Sequence, residues 1–213
     1  MYIFTTKSKI FHFQFFLFKI KYIISIVSYN HFNIEERKIS SLIIKILICG
    51  DPFVGKTTLV KRFTKGYFIE NCKLTIGSDV TTKDLSVNHQ GDQQLVYLII
   101  FDISGLDRFK ILRKNIYWGS DGALLIFDLT RYETFNPGIK NWLEELNQIL
   151  GKIPFLIIGT KADLSEIRVN DDLVRKFAEE NNSIYIKTTA KIGQNIDEPF
   201  INLIERVLDK RDL

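Results

Sequence analysis

The chain has too few cysteines for a disulfide scaffold and no clustered histidines for a metal centre. Cys49 and Cys72 are its two cysteines. Cys49 ends an apolar run and reads as a small core residue, and the pair points to a reducing, cytosolic setting. His12, His31 and His89 are scattered, with no ligand spacing between them. A basic excess is missing where a nucleic-acid surface would need one. Residues 42–213 hold 23 basic and 23 acidic side chains, so the formal charge of +4 resides in residues 1–41. There is no internal repeat and no long linker, so residues 42–213 are expected to form one monomeric domain.

A clean long hydrophobic run is also lacking. Residues 10–27 are apolar and aromatic, but Lys19 and Lys21 interrupt them. Each lysine would cost about 2.5–3.5 kcal/mol at a bilayer centre. The apolar stretches on either side are too short to span, and no small-residue cleavage site follows. Residues 1–41 therefore read as an extension with three open explanations: in-frame translation of upstream sequence, a peripheral membrane anchor, or a membrane span. Peptides from residues 1–30 in the natural protein would exclude the first. Membrane contact is expected only through this segment or a partner.

What the chain does have is a regular alternation of buried-strand and helix patterns. Leucine, isoleucine and phenylalanine are plentiful enough to exclude disorder, with 46% of residues hydrophobic and 25% charged. Strands are predicted at 42–49, 80–87, 94–102, 123–128, 153–159 and 184–187, the second and third joined as a hairpin through Asn88-His89-Gln90-Gly91-Asp92. Helical stripes run through Leu59, Val60 and Phe63, then from Trp142 to a stop at Gly151, then through Leu173, Val174, Phe177 and Ala178. A last one links Ile196, Phe200, Leu203, Ile204 and Val207, with Pro199 tolerable in its first turn. About six strands and five helices in this order predict an α/β, three-layer fold. Its six-stranded sheet is mainly parallel, with one antiparallel edge strand and helices on both faces. Ligands of such sheets bind beyond the carboxyl ends of the strands, where every motif below falls.

Gly50-Asp51-Pro52-Phe53-Val54-Gly55-Lys56-Thr57 matches G-x-x-x-x-G-K-[ST] between a predicted strand and a predicted helix. Such a P-loop aims backbone N–H groups at a phosphate. Gly55 permits close approach, Lys56 supplies charge to the outer phosphates, and the Thr57 hydroxyl suits Mg²⁺. A chance glycine loop would lack that strand–helix context. Kinases and ATPases share the motif, so the base must be read elsewhere.

Thr160-Lys161-Ala162-Asp163 follows the fifth strand. A carboxylate there accepts from the ring N–H and exocyclic amine of guanine, a donor pair adenine lacks. The bland alternative for Asp163 is a helix cap. Lys161 is expected to lay its stem along the base or to brace the P-loop. Thr189-Ala190-Lys191 follows the last strand, and the Ala190 N–H can reach the guanine carbonyl. Asp102-Ile103-Ser104-Gly105 ends the third strand. Asp102 there can hold Mg²⁺ through a water or simply cap a helix, and the Gly105 N–H can reach a γ-phosphate. Thr75 is either an ordinary loop threonine or the hydroxyl that completes the Mg²⁺ shell.

Together these motifs resemble the Ras-like small GTPases, and the Rab type most. TIGSD at 75–79, DRF at 107–109, DGALLIFDLT at 121–130 and ETF at 133–135 carry the likeness over about residues 42–208. The resemblance implies a GTP/GDP switch of signalling or vesicle trafficking, with Mg²⁺ and with effector, exchange and GTPase-activating proteins as partners. It implies nucleotide contacts from Gly50, Asp51, Val54, Gly55, Lys56, Thr57, Thr58, Phe68, Thr75, Gly105, Thr160, Lys161, Asp163, Thr189, Ala190 and Lys191. Phe68 is expected to pack on the guanine. Thr57, Thr75 and Asp102 are the expected Mg²⁺ ligands, and Lys56, Thr75, Gly105 and position 106 the catalytic set. Thr75 marks the first switch and residues 102–118 the second, loops that order around the γ-phosphate.

The departures are specific. Leu106 stands where the family usually carries the glutamine that orients the attacking water. Family intrinsic turnover is already only about 3–5 × 10⁻⁴ s⁻¹, so slower turnover is expected, or turnover assisted by a partner's glutamine or arginine. Pro52 and Phe53 replace small P-loop residues, and Phe53 is expected to crowd an arginine finger. Ser104 replaces a common alanine, Cys72 a frequent aromatic, and Thr160 an asparagine. The chain ends Asp209-Lys210-Arg211-Asp212-Leu213, far from Cys72, so C-terminal prenylation is not expected.

Overall fold

A computed structural model describes residues 42–70, 72 and 74–212. The readings for residues 1–41 lie outside the described residues. Strand β1 (Leu42–Cys49) leads through the P-loop into α1 (Lys56–Lys65). The hairpin β2 (Ser78–His89) and β3 (Asp92–Ile103) follows, then a 3₁₀ turn at Asp107–Phe109 and α2 (Lys110–Tyr117). Next come β4 (Gly122–Asp128), the single turn α3 (Tyr132–Phe135), α4 (Gly138–Leu150), β5 (Phe155–Thr160), α5 (Asp171–Glu180), β6 (Tyr185–Lys187) and α6 (Glu198–Arg211).

The strands form one sheet in the order β2-β3-β1-β4-β5-β6. β2 is the antiparallel edge and the other neighbours pair in parallel. This is the architecture the alternation predicts. β4 is buried along its whole length, as a strand covered on both faces must be. Side chains alternate between the faces. Ile44, Ile46 and Ile48 join Leu59, Val60 and Phe63 of α1 and Phe200, Leu203 and Ile204 of α6 in one core. Phe63 and Phe200 stack with ring centroids 3.8 Å apart. Leu47, Leu125, Phe127 and Ile157 are buried on the opposite face, where Ile139, Trp142 and Leu146 of α4 are also buried.

Several boundaries differ from the sequence reading, β5 starting at Phe155 instead of Ile153 and β6 at Tyr185 instead of Ile184. The hairpin ladder continues to His89 opposite Asp92, so its link shrinks to Gln90 and Gly91. Polar Asn88 and His89 stay in the strand because an edge strand leaves one side to solvent. Ile196 precedes α6 instead of belonging to it, although it is buried. Gly151 ends α4 as expected, its N–H donating to Asn147 at 3.0 Å. Among the described residues no helix is long and apolar enough to cross a membrane.

Candidate nucleotide-binding site

A cleft of about 390 Å³ opens beyond the carboxyl ends of β1, β3, β5 and β6. Gly55, Lys56, Thr57, Thr58, Phe68, Thr75, Gly105, Thr160, Lys161, Asp163, Ala190 and Lys191 line it, together with Cys72. Residues spread over more than 130 positions of sequence therefore share one wall. Gly50, Asp51, Val54 and Thr189 are not among the lining residues; Val54 and Thr189 are buried, and Asp51 lines a second groove. A side chain at Gly50 would put its Cβ 2.1 Å from the Ile126 carbonyl oxygen, so only glycine fits where the P-loop leaves β1. Phe53 is exposed and holds φ 64, a left-handed conformation that costs a bulky residue energy.

At the phosphate end, Lys56 is 6% exposed. Its ammonium donates to the Gly50 and Asp51 carbonyls, both at 2.7 Å. Two of its three protons hold the loop, and the third remains for an anion. Burial pushes the Lys56 amine down to about 8, and Asp102 recovers part of that. A bound phosphate would favour the charged form.

Asp102 is 3% exposed, and burial raises its carboxyl above the ordinary range against the hydrogen bond from Thr57. Its Oδ2 accepts from the Thr57 hydroxyl and, at 3.4 Å, from Thr75. The two threonine oxygens lie 2.8 Å apart. Among the described residues, the buried Asp102 Oδ1 has no hydrogen-bond partner. Among the described residues no three His, Cys, Asp or Glu converge. One carboxylate and two hydroxyls instead fit a hard cation that brings its own waters and phosphate oxygens, as Mg²⁺ does. The capping alternative for Asp102 is excluded by these contacts.

At the far end, Asp163 accepts from the Thr189 hydroxyl at 2.6 Å through Oδ1. Asp163 is no helix cap, since Asn170 caps α5. Thr160 is buried, and its hydroxyl reaches the Val54 carbonyl at 2.5 Å and the Phe127 carbonyl at 2.9 Å. With one proton to give, it braces the P-loop and has no donor left for a base. The Lys161 ammonium lies 2.5 Å from Asp128 instead of on the P-loop. Burial alone would raise Asp128, but hydrogen bonds from Lys161 and Thr130 hold it below the ordinary carboxylate range. Arg131 pairs with Asp128 at 3.0 Å and donates to the Pro52 carbonyl at 2.9 Å. Asp128 thereby links the Lys161 loop to the phosphate loop.

Leu106 lines a second groove, of about 710 Å³, and is not among the residues lining the nucleotide cleft. Arg131 was invisible in the sequence because it acts on a loop 79 residues away. Trp142 read only as core, yet its indole N–H donates to Asp51 at 2.9 Å.

A parallel sheet, a P-loop and a base-sized cleft define the class of P-loop nucleotide-binding proteins. Residues 45–209 match the model of the Ras family. The chain is 33% identical over 174 residues to the Ras-related protein RABA1i of Arabidopsis thaliana, covering 79% of this chain and 78% of that one. It is also 33% identical over 182 residues to the Ras-related protein Rab-32B of Dictyostelium discoideum, covering 83% and 68%. The chain belongs to the Ras family of small GTPases and is Rab-like within it.

Proposed function

We propose that this chain binds GTP and GDP with Mg²⁺ and acts as a switch whose hydrolysis is slow or partner-assisted. The observation that carries the reading is one cleft with Lys56 at one end and the Thr189-held Asp163 at the other. Asp163 Oδ2 accepts from guanine, Phe68 covers the base, and the Ala190 N–H meets the guanine carbonyl. Lys56 gives its remaining proton to the outer phosphates. Thr57, Thr75 and Asp102 would hold Mg²⁺, which when bound would neutralise phosphate charge. Gly105 presents its N–H to the γ-phosphate, and Thr75 closes the first switch only when that phosphate is present. Effector, exchange and activating proteins then read the two switches.

Leu106 supports a second reading, a GTP-locked scaffold that hardly turns nucleotide over. A leucine cannot orient water, and Leu106 lines the other groove. Single-turnover hydrolysis separates the two readings. Under the first, Leu106→Gln accelerates a slow but measurable rate by about tenfold or more. A rate that stays at background in both proteins supports the scaffold. Equal, fast rates would remove the slow-hydrolysis claim.

A further inference from the structure

Arg113 is 3% exposed on α2. Its NH2 group donates to the Leu106 carbonyl at 3.1 Å. NH1 donates to both Glu145 oxygens, at 3.2 and 3.4 Å. The guanidinium carbon lies 4.1 Å from the centre of the Trp142 ring. Trp142 and Glu145 both project from α4, and Trp142 in turn holds Asp51 of the P-loop. Tyr117 donates to Glu145 at 2.9 Å and fixes the carboxylate from a third direction. The circuit closes at Gly105. A Cβ there would lie 2.5 Å from the Asp51 carbonyl carbon and the Pro52 nitrogen. The P-loop, Trp142, Arg113, Leu106 and Gly105 thus form a ring of contacts around the start of the second switch.

Burying a guanidinium is costly unless it is well paired, and among the described residues the buried Arg113 Nε has no hydrogen-bond partner. Only a planar fork meets a carboxylate, a ring face and a carbonyl together. Fixing α2 on α4 requires Glu145 alone. The contact to Leu106 instead holds the Leu106–Asp107 peptide, two peptide units beyond the N–H of the glycine proposed to face the γ-phosphate. At position 106 the chain has no amide side chain, and what is held there is the main chain.

We propose that Arg113 is a positioning residue for the γ-phosphate. It ties the Leu106 peptide to α4 so that the Gly105 N–H stays seated against the P-loop, and triphosphate binds without first ordering this segment. The inference rests on the guanine-nucleotide reading. GDP does not reach Gly105, so Arg113 matters for triphosphate and not for diphosphate.

The test is competition of a fluorescent GDP on the full chain, with Mg²⁺, by GDP and by a non-hydrolysable GTP analogue. Arg113→Lys keeps the charge for Glu145 but lacks the fork. Arg113→Ala removes both, and Glu145→Gln weakens the anchor. Arg113→Lys and Arg113→Ala are expected to lower the analogue-to-GDP affinity ratio by about tenfold, the weight of one charge-assisted hydrogen bond. GDP affinity stays within about twofold of the unsubstituted chain, and Glu145→Gln shifts the ratio in the same direction by less. An unchanged ratio, or equal loss of both nucleotides, overturns the proposal and leaves Arg113 a packing residue. If Arg113→Ala binds neither nucleotide because it misfolds, Arg113→Lys and Glu145→Gln decide. Failure of the unsubstituted chain to bind either guanine nucleotide is a separate outcome, which overturns the guanine reading and this inference with it.

Discussion

The Thr189 hydroxyl donates to the Asp163 carboxylate at 2.6 Å across 26 residues of sequence. This bond joins the loop after β5 to the loop after β6. It leaves one carboxylate oxygen for a ligand and fixes the direction in which that oxygen points. Thr189 itself is 1% exposed and accepts no role at the cleft surface. In the proposed reading, base selection depends on a residue that stands behind the base.

Asp163→Ala removes the acceptor for both guanine donors. Loss of charged hydrogen bonds of about 1.5–3 kcal/mol weakens GDP binding about 10- to 150-fold. Thr189→Ala, which only frees the carboxylate to rotate, weakens it by less, about threefold to tenfold. Equilibrium titration with fluorescent GDP checks both. Equal losses for the two variants would contradict the indirect role given to Thr189.

Removal of Mg²⁺ exposes the phosphates to Asp102, a negative charge among oxygens. Chelation should therefore speed GDP release by about tenfold or more. Thr57→Ala should give nearly the same fast release in the presence of Mg²⁺ and respond little to further chelation. Stopped-flow release of fluorescent GDP measures both. A Thr57→Ala protein that still slows tenfold on adding Mg²⁺ would show that this hydroxyl is not a ligand.

Lys45 supplies a pH signal away from the cleft. Its ammonium donates to the Ile116 and Trp118 carbonyls at 2.6 and 2.7 Å and faces the Phe101 ring. Burial lowers it from 10.5 to about 8, with Asp121 recovering part of the loss. Between about pH 8 and 10.5 the unfolded chain binds this proton and the folded chain does not, so stability from this group rises with pH. The stability difference between the unsubstituted protein and Lys45→Met should grow in favour of the former across that window. Urea melts at fixed ionic strength follow it; a flat difference would mean that Lys45 keeps an ordinary affinity for its proton.

Phe63→Ala opens a cavity beneath the stacked Phe200 ring and removes the surface that Lys83 covers at 3.7 Å. Destabilisation of about 3–5 kcal/mol is expected, with nucleotide affinity changed far less. Phe63→Leu, which refills part of the volume, should recover over half of that loss. Chemical denaturation of the GDP-bound protein provides the comparison.

Most of the sheet was legible because buried parallel strands are short apolar runs between breakers, as 42–49 and 123–128 are. The short α3 and the α2 helix were not, since Lys110, Arg113 and Lys114 interrupt any apolar stripe and α3 is a single turn. That Lys56, Thr57 and Asp163 would line one cleft was legible because each sits in a local motif at a strand end. Arg131, Trp142 and Arg113 were not. Their partners lie 79, 91 and 32 residues away, and spacing carries no trace of such contacts. Of the two readings of Lys161, bracing of the P-loop gives way to the contact with Asp128, which belongs to a strand end whose register only the folded sheet reveals.

The cleft is proposed to select guanine nucleotides. That selectivity is tested most directly by denaturing the purified full chain and identifying the released nucleotide by chromatography. GDP or GTP at close to one equivalent is the expected result, and a majority of GTP would place the slow step at Leu106. ATP, or no nucleotide at all, would contradict the guanine reading and leave a P-loop protein of other specificity.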